Sequence, residues 1–450
     1  MKNYIKHDPW KIIEDKFNPD YNKISESICS LGNGKFGQRA NFEESFSGKT
    51  LQGNYVSGVY YPDKTRVGWW KNGYPEYFAK MLNAPDWTGI KINIEGEELD
   101  LAKCKVENFS RVLDMKRGVL ERKFTAETQS GKRLEVFSTR FLSIVRDENA
   151  AIKYTILPKN FSAKAEILSE VDADIKNEDS NYDEKFWTEI EKVSDENNTF
   201  VTAETKKTFF QVCTAIKTTL TNFSKAENIL KEKYAAKKYT VQLTENQPFT
   251  VYKYAAVTST MYYDKTEISK KTLEVLDKAF KDGFETLLKE QENAWEEKWR
   301  ESDIIIDGDV AAQQGIRFNI FQLNQTYTGR DERLNIGPKG FTGEKYGGTT
   351  YWDTEAYCLP FYLATADKKV AHSLLVYRWK HLKKAIENAE KLGFTGGAAL
   401  YPMVTANGEE CHNEWEITFE EIHRNAAIAN AVRIYIDYTG EKKYLADYGL

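Results

Sequence analysis

The stretch NGEECHNEWEITFEEIHRN (residues 407–425) sets six glutamates, Glu409, Glu410, Glu414, Glu416, Glu420 and Glu421, around His412, His423 and Trp415. Three chemistries suit such a set: a solvated helix face, a metal site, or the wall of a sugar pocket. Thr418-Phe-Glu420-Glu421 has the form of a capping box, with Thr418 as N-cap and Glu421 at N3. Ile422, Ala426, Ala429, Val432 and Ile436 then follow at helical spacing, and Gly440 stops the run. Glu420 and Arg424 make an i,i+4 pair in the favourable order. Those roles explain Glu420 and Glu421 without chemistry, and His423 reads as a buried, hydrogen-bonded histidine. Residues 409–416 have no helical task. His412 and Glu416 are four apart, but on a loop that spacing does not converge, and no third ligand is evident, so no metal is expected. Trp415 argues against a merely solvated loop, because exposing an indole is costly.

A second stretch, NIGPKGFTGEKYGGTTYWDTEAYCLPFYL (335–363), puts a loop containing Gly337, Gly340, Gly343, Gly347 and Gly348 before Trp352 and Asp353. It is not GxxxxGK[ST] and does not link a strand to a helix as a phosphate cradle does. Asp353 has two readings. It caps the helix that follows, or it takes two hydroxyls of a pyranose that stacks on Trp352. A third stretch, LGNGKFGQRANFEES (31–45), contains a GxGxxG-like match at Gly32, Gly34 and Gly37 but no βαβ unit, so a turn is the better reading. No serine elbow or Cys–His pairing at a useful spacing is evident.

These segments sit on a chain of 450 residues with 41% hydrophobic residues, 29% charged residues and a net charge of −5. Lys and Arg are dispersed, which argues against a nucleic-acid footprint. The N-terminus lacks a secretory apolar run, and no stretch approaches a membrane span of about 18 residues. The expectation is therefore a cytoplasmic protein. Its five cysteines are scattered without CxxC, which fits reduced thiols.

Residues 20 to about 262 alternate as strands do, most clearly at 91–102, 133–144 and 237–260. A helical period follows over 264–300. Asp264 to Glu267 resembles a capping signature, Gly283 weakens the middle, and DIIIDG (303–308) reads as a short strand. Helices are expected at 309–327, 353–365, 367–392 and 419–438, with another starting at 441. The fold class is α+β multidomain: an all-β sandwich over 1–263, a helical linker over 264–308 and a helical domain over 309–450. That last domain has few helices to close against and no cap at its end, so it is expected to be cut short at Leu450.

SLGNGKFGQRANFEE (30–44), NIGPKGFTGEKYGGTTYWDTEAYCLPFY (335–362) and GAALYPMVTANGEECHNEWEITFEEIHRN (397–425) together resemble the glycoside hydrolase family 65, which contains the disaccharide phosphorylases. The resemblance implies a large N-terminal supersandwich, a helical linker and an (α/α)6 barrel. It implies inverting phosphorolysis of an α-glucosidic bond, with inorganic phosphate as co-substrate and no cofactor or metal. The substrate it favours is maltose, giving glucose and β-glucose 1-phosphate. Kojibiose, nigerose and trehalose, a trehalase-like hydrolysis, and a non-catalytic sugar-binding module are the rival readings. By the same resemblance Trp352 and Asp353 contact the glucosyl unit at the cleavage site. His412, Glu414, Trp415 and Glu416 belong to the loop that shapes the acceptor site. The general acid of the family lies in a GPDE-type motif that is expected beyond Leu450, as are the phosphate-holding residues. The 450-residue chain alone is then expected to be inactive and poorly folded. The family's members also imply a homodimer. Ala426 stands where related maltose enzymes usually have glycine.

Overall fold

Strands form here where period-two alternation carries every second side chain into a core. The computed structural model describes residues 4–66, 76–345, 349–410 and 421–448. In chain order the strands are β1 (Ile5–Lys6), β2 (Lys11–Glu14), β3 (Leu31–Gly32), β4 (Phe36–Gln38), β5 (Asn54–Lys64), β6 (Tyr77–Asn83), β7 (Ile90–Ile94), β8 (Glu97–Glu98), β9 (Lys105–Asp114), β10 (Val119–Glu127), β11 (Arg133–Leu142), β12 (Asn149–Pro158), β13 (Ala163–Asp172), β14 (Trp187–Ser194), β15 (Thr199–Thr205), β16 (Gln211–Leu220), β17 (Lys225–Lys231), β18 (Tyr234–Leu243) and β19 (Phe249–Ser259). The helices are α1 (Asn22–Ile28), α2 (Ile268–Asp282), α3 (Phe284–Ser302), α4 (Val310–Thr326), α5 (Leu359–Thr365), α6 (Lys368–Lys380), α7 (Leu382–Lys391), α8 (His423–Thr439) and α9 (Lys443–Asp447). The three strand stretches read from the sequence are therefore strands.

The described residues fall into two compact units, and the chain passes between them several times. The first comprises Met1–Val56, Asn83–Ile175 and Trp187–Phe321. Its frame is a ten-stranded sheet in the order β1-β2-β9-β10-β11-β12-β19-β16-β15-β14, faced by a five-stranded sheet in the order β17-β18-β13-β7-β8. The ladders pair antiparallel throughout, so this is a large β-sandwich. Helix α2 buries Ile268, Leu276 and Ala279 against Ala215, Tyr254 and Ala256 of the large sheet. Helix α3 is fixed by directed bonds as well as by packing. Trp299 Nε1 donates to the Met115 carbonyl at 2.8 Å, and Gln291 Nε2 to that of Gly118 at 2.9 Å. Gly118 has φ +66°, and a β-carbon there would lie 1.9 Å from Trp295 Nε1, so the turn admits no side chain.

The glycine motif at 31–38 is a hairpin turn, as the sequence reading had it. Asn33 Oδ1 accepts from the Lys35 and Phe36 N–H groups, and Gly34 takes φ +87°. The acids just beyond it are the larger finding. Glu44 is bidentate to Arg122 at 2.7 Å, Glu43 also bonds Arg122, and Tyr154 Oη donates to Glu44 at 3.2 Å. Arg140 Nη2 donates to the Asn41 carbonyl at 2.9 Å. All of these side chains are buried, so charges taken from water are matched within the core.

Several local expectations are corrected. Gly283 does divide the 264–300 run into α2 and α3, at φ +81°. The Asp264–Glu267 cap does not form: Glu267 sits at N-cap without a side-chain bond, and the segment closes a backbone turn instead. DIIIDG is not a strand. The amide of Gln313 satisfies its backbone, accepting from Ile306 N–H at 2.7 Å and donating to the Ile304 carbonyl at 2.8 Å, which replaces a ladder partner. The expected 367–392 helix breaks at His381, whose N–H turns to the Arg378 carbonyl and separates α6 from α7.

The second unit comprises Ser57–Leu82, Lys176–Phe186 and Gln322–Leu450. Within it Tyr61 stacks on Phe186 at 4.1 Å, and the buried Lys80 pairs with Asp63 at 2.9 Å. Ala79, Tyr351, Met403 and Val404 form a small core against which Tyr60 and Trp352 pack. Among the described residues, no helix is long and apolar enough to cross a membrane.

Candidate active site

Trp352 and Asp353 are placed by a short backbone device in the second unit. Thr350 and Thr405 exchange both backbone hydrogen bonds, at 2.7 and 3.0 Å, which joins the segment after the glycine loop to residues 404–406. Beyond Asp353 the chain does not enter an ordinary helix. Residues Thr354–Cys358 form one wide π turn, in which the Leu359 N–H reaches back to the Thr354 carbonyl, and α5 follows. Such insertions carry a backbone cost and concentrate at functional sites. Thr354 Oγ1 anchors the turn to the Ile336 carbonyl at 2.8 Å.

The capping reading of Asp353 does not hold. Asp353 is the residue before the π turn, but its carboxylate makes no cap bond. Among the described residues, that carboxylate is half-buried and has no ion-pair partner. Trp352 beside it is held edge-on to His423 with ring centres 5.1 Å apart, and its centre lies 6.1 Å from that of Tyr357. A partly open indole next to an uncommitted carboxylate can stack on an apolar sugar face and accept from hydroxyls.

Three groups hold the segments around this pair, and the sequence reading missed all three. Glu355 is bidentate to Arg378 at 2.7 and 3.0 Å, and both are buried. The same guanidinium donates to the Tyr351 carbonyl at 3.2 Å, fixing the backbone just before Trp352. Burial opposes the charge on Arg378, but Glu355 holds its pKa above the ordinary value. Asn425 ties α8 to the segment 399–401, accepting from Tyr401 N–H at 3.1 Å and donating to the Ala399 carbonyl at 2.8 Å. The third group is Glu410. Its carboxylate accepts from the Met403 and Val404 N–H groups at 2.8 and 3.2 Å, and pairs with Arg424 at 3.2 Å. The only cue in the sequence was that acids of the 407–425 stretch lacked a helical task.

The acidic stretch thus divides. Glu410 is a buried turn clamp, and Glu409 pairs with Lys384 at 3.1 Å on the surface. His412, Glu414, Trp415 and Glu416 lie outside the described residues, as do Thr418 and Glu420 of the expected cap and ion pair. Helix α8 begins at His423 and ends at a left-handed Gly440. Its buried face is Arg424, Ile428, Ala431 and Tyr435, not the Ile422-to-Ile436 stripe expected from hydropathy. That rotation brings buried Arg424 to Glu410 and leaves Ile422 exposed. His423 is likewise exposed, not buried, and serves as an edge for Trp352. A neighbouring cavity lined by Tyr60, Asn335, Phe341, Thr350 and Tyr377 has a volume near 60 Å³. That is well below the roughly 300 Å³ lower end of small-molecule sites, and neither Trp352 nor Asp353 lines it.

The profile for the N-terminal domain of glycosyl hydrolase family 65 matches residues 12–298, and the profile for that family's central catalytic domain matches 317–450. A maltose phosphorylase of Bacillus subtilis (strain 168) is 45% identical over 448 residues, covering 98% of this chain and 58% of its own length. An α,α-trehalose phosphorylase of Thermoanaerobacter brockii is 37% identical over 98% of this chain and 58% of its own. A solved structure of a putative kojibiose phosphorylase from the human microbiome superposes with a TM-score of 0.93 at 30% identity, covering 100% of this chain and 58% of that one. The chain therefore spans a little under three-fifths of the length of these relatives. With both domain profiles matched in order, one over the sandwich and one over the Trp352–Asp353 unit, the chain belongs to glycosyl hydrolase family 65.

Proposed function

We propose that the protein takes part in inverting phosphorolysis of an α-glucosidic disaccharide, with maltose and phosphate giving glucose and β-glucose 1-phosphate. The observation that carries this reading is the Trp352–Asp353 pair. A carboxylate free of helix capping stands beside a half-buried indole at a π turn. In this reading Trp352 stacks on the glucosyl unit and Asp353 accepts from two of its hydroxyls. His412, Glu414, Trp415 and Glu416 form the acceptor wall, and helices α4–α9 belong to an (α/α)6 barrel. Phosphate is the nucleophile on the face opposite the leaving oxygen, so one general acid suffices where an inverting hydrolase needs two carboxyl groups. No residue of 1–450 is given the part of that acid. The working enzyme is a homodimer in this reading.

The similarity to a maltose phosphorylase supports maltose. The likeness to a trehalose phosphorylase and to a putative kojibiose phosphorylase supports a second reading, in which the bond is the same class but the acceptor differs. The test uses the gene product as the cell makes it, given maltose, trehalose or kojibiose with and without phosphate. Glucose 1-phosphate formed only with phosphate, and fastest from maltose, is the expected result. Glucose released equally well without phosphate would replace phosphorolysis by hydrolysis. A preference for trehalose or kojibiose would move the proposal to the second reading.

A further inference from the structure

The β-sandwich of the first unit contains a cavity of about 520 Å³ that the phosphorolysis reading does not use. Its volume lies within the range of small-molecule sites. The cavity opens where β16 outruns its neighbour. β15 pairs with β16 only as far as Ile216, whereas β16 continues to Leu220 against β19 alone. Over Lys217–Leu220 one edge of the strand is therefore without a neighbouring strand, and its backbone groups are available for hydrogen bonding. Aromatic rings reach the same space from three elements. Phe223, on the turn after β16, is 53% exposed and stands edge-on to Tyr239 of β18 at 5.3 Å. Phe280 of α2 is 36% exposed. Apolar rings left this open beside a cavity are the kind of surface that a ligand covers.

Each cation lining the cavity has acids beside it. Lys217 is paired with Asp277, and Lys237, whose Nζ donates to the Glu196 carbonyl at 2.8 Å, feels the attraction of the Asp195 and Glu196 carboxylates. Asn197, Asn228 and the Ser169–Thr218 hydroxyl pair add neutral donors and acceptors. Exposed rings, dense neutral hydrogen-bonding groups and an open strand edge suit a ligand with apolar faces rimmed by hydroxyls. They do not suit an anion, which would need uncompensated cations. We infer that this groove binds a neutral oligosaccharide, with a pyranose face against Phe223 and hydroxyls on Asn228 and the β16 edge. The inference stands apart from the phosphorolysis reading.

The test is calorimetric titration of maltotriose, without phosphate, into the full chain and its Phe223→Ala, Asn228→Ala and Asp353→Asn variants. Circular dichroism would check that each variant is folded. The groove predicts that Asp353→Asn retains a maltotriose site that Phe223→Ala weakens about tenfold, the value of one aromatic contact. Asn228→Ala should weaken the same site by a smaller factor. Absence of that site in the wild-type chain would overturn the inference. So would affinity unchanged in both groove variants, or a single site lost on Asp353→Asn alone. Failure of the phosphorolysis reading would show instead as unaltered turnover in Asp353→Asn, with the groove titration unaffected.

Discussion

At the scale of single residues, acidity is a poor guide to chemistry in this protein. Glu410 belongs to the most acidic stretch of the chain, yet its oxygens are committed to two backbone N–H groups and Arg424. Asp353 had an ordinary explanation as a cap, yet its carboxylate is not so committed. This contrast sets a prediction. In the active protein, Asp353→Asn should cut kcat/KM by at least ~100-fold, since a charged hydrogen bond to the sugar is worth roughly 3 kcal/mol. The melting temperature should stay unchanged, because no helix cap is lost. Wild-type turnover would remove Asp353 from the site, and a lowered melting point would restore its structural role. Neighbouring Glu355 looks equivalent in sequence, but its bidentate pair with buried Arg378 makes it the support of the site.

At the scale of elements, loops and helices are held by a few contacts that a substitution can address. Helix α3 lies so close to the β9–β10 turn that Gly118 leaves no room for a methyl group beside Trp295. Gly118→Ala combines that overlap with an unfavourable positive φ, and should cost about 2–3 kcal/mol in denaturant unfolding. A cost below about 0.5 kcal/mol would mean the turn and α3 shift apart cheaply. The loop before Trp352 has a different lock. Glu344 is buried and accepts from the Asp179 N–H at 2.9 Å. Burial, reinforced by the Asp179 carboxylate, pushes its pKa from 4.5 up to about 7. The folded state thus holds this proton more tightly than the unfolded state. Its contribution to stability is fully present below pH 4.5 and is lost as pH rises through about 7. Glu344→Gln removes that dependence, so the variant should gain melting temperature relative to wild type between pH 5 and pH 8. An offset that is constant with pH would refute the assignment.

At the scale of the whole molecule, the first unit is assembled from distant parts of the chain. Arg122 on β10 binds carboxylates 78 and 79 residues earlier, and Tyr154 on β12 completes the cluster. Removing the cation leaves Glu43 and Glu44 buried without their principal partner. Arg122→Met should therefore destabilise the protein by about 3–5 kcal/mol at pH 7. Near-neutral stability at pH 7 would mean that water reaches the carboxylates.

Period-two alternation and the change to a helical period were legible because each depends on neighbours two to four residues away. So were the hairpin at Gly34, the helix break at Gly283 and the stop at Gly440, since an unusual φ leaves a residue-type mark. The motifs at 335–362 and 397–425 marked the family for the same reason: they are contiguous. Pairings between distant segments left no such mark. Nothing local to Glu43, Glu355 or Glu410 names its arginine, and nothing in DIIIDG tells that Gln313 takes its backbone bonds. Helix α8 shows the limit most directly, since hydropathy pointed one stripe inward and the fold buries another, which carries Arg424 to Glu410. The sequence by itself determined most of the elements and the family. Tertiary structure alone decided which carboxylates are support and which remain open to a ligand, because burying a charge requires a partner and that partner is set by the fold.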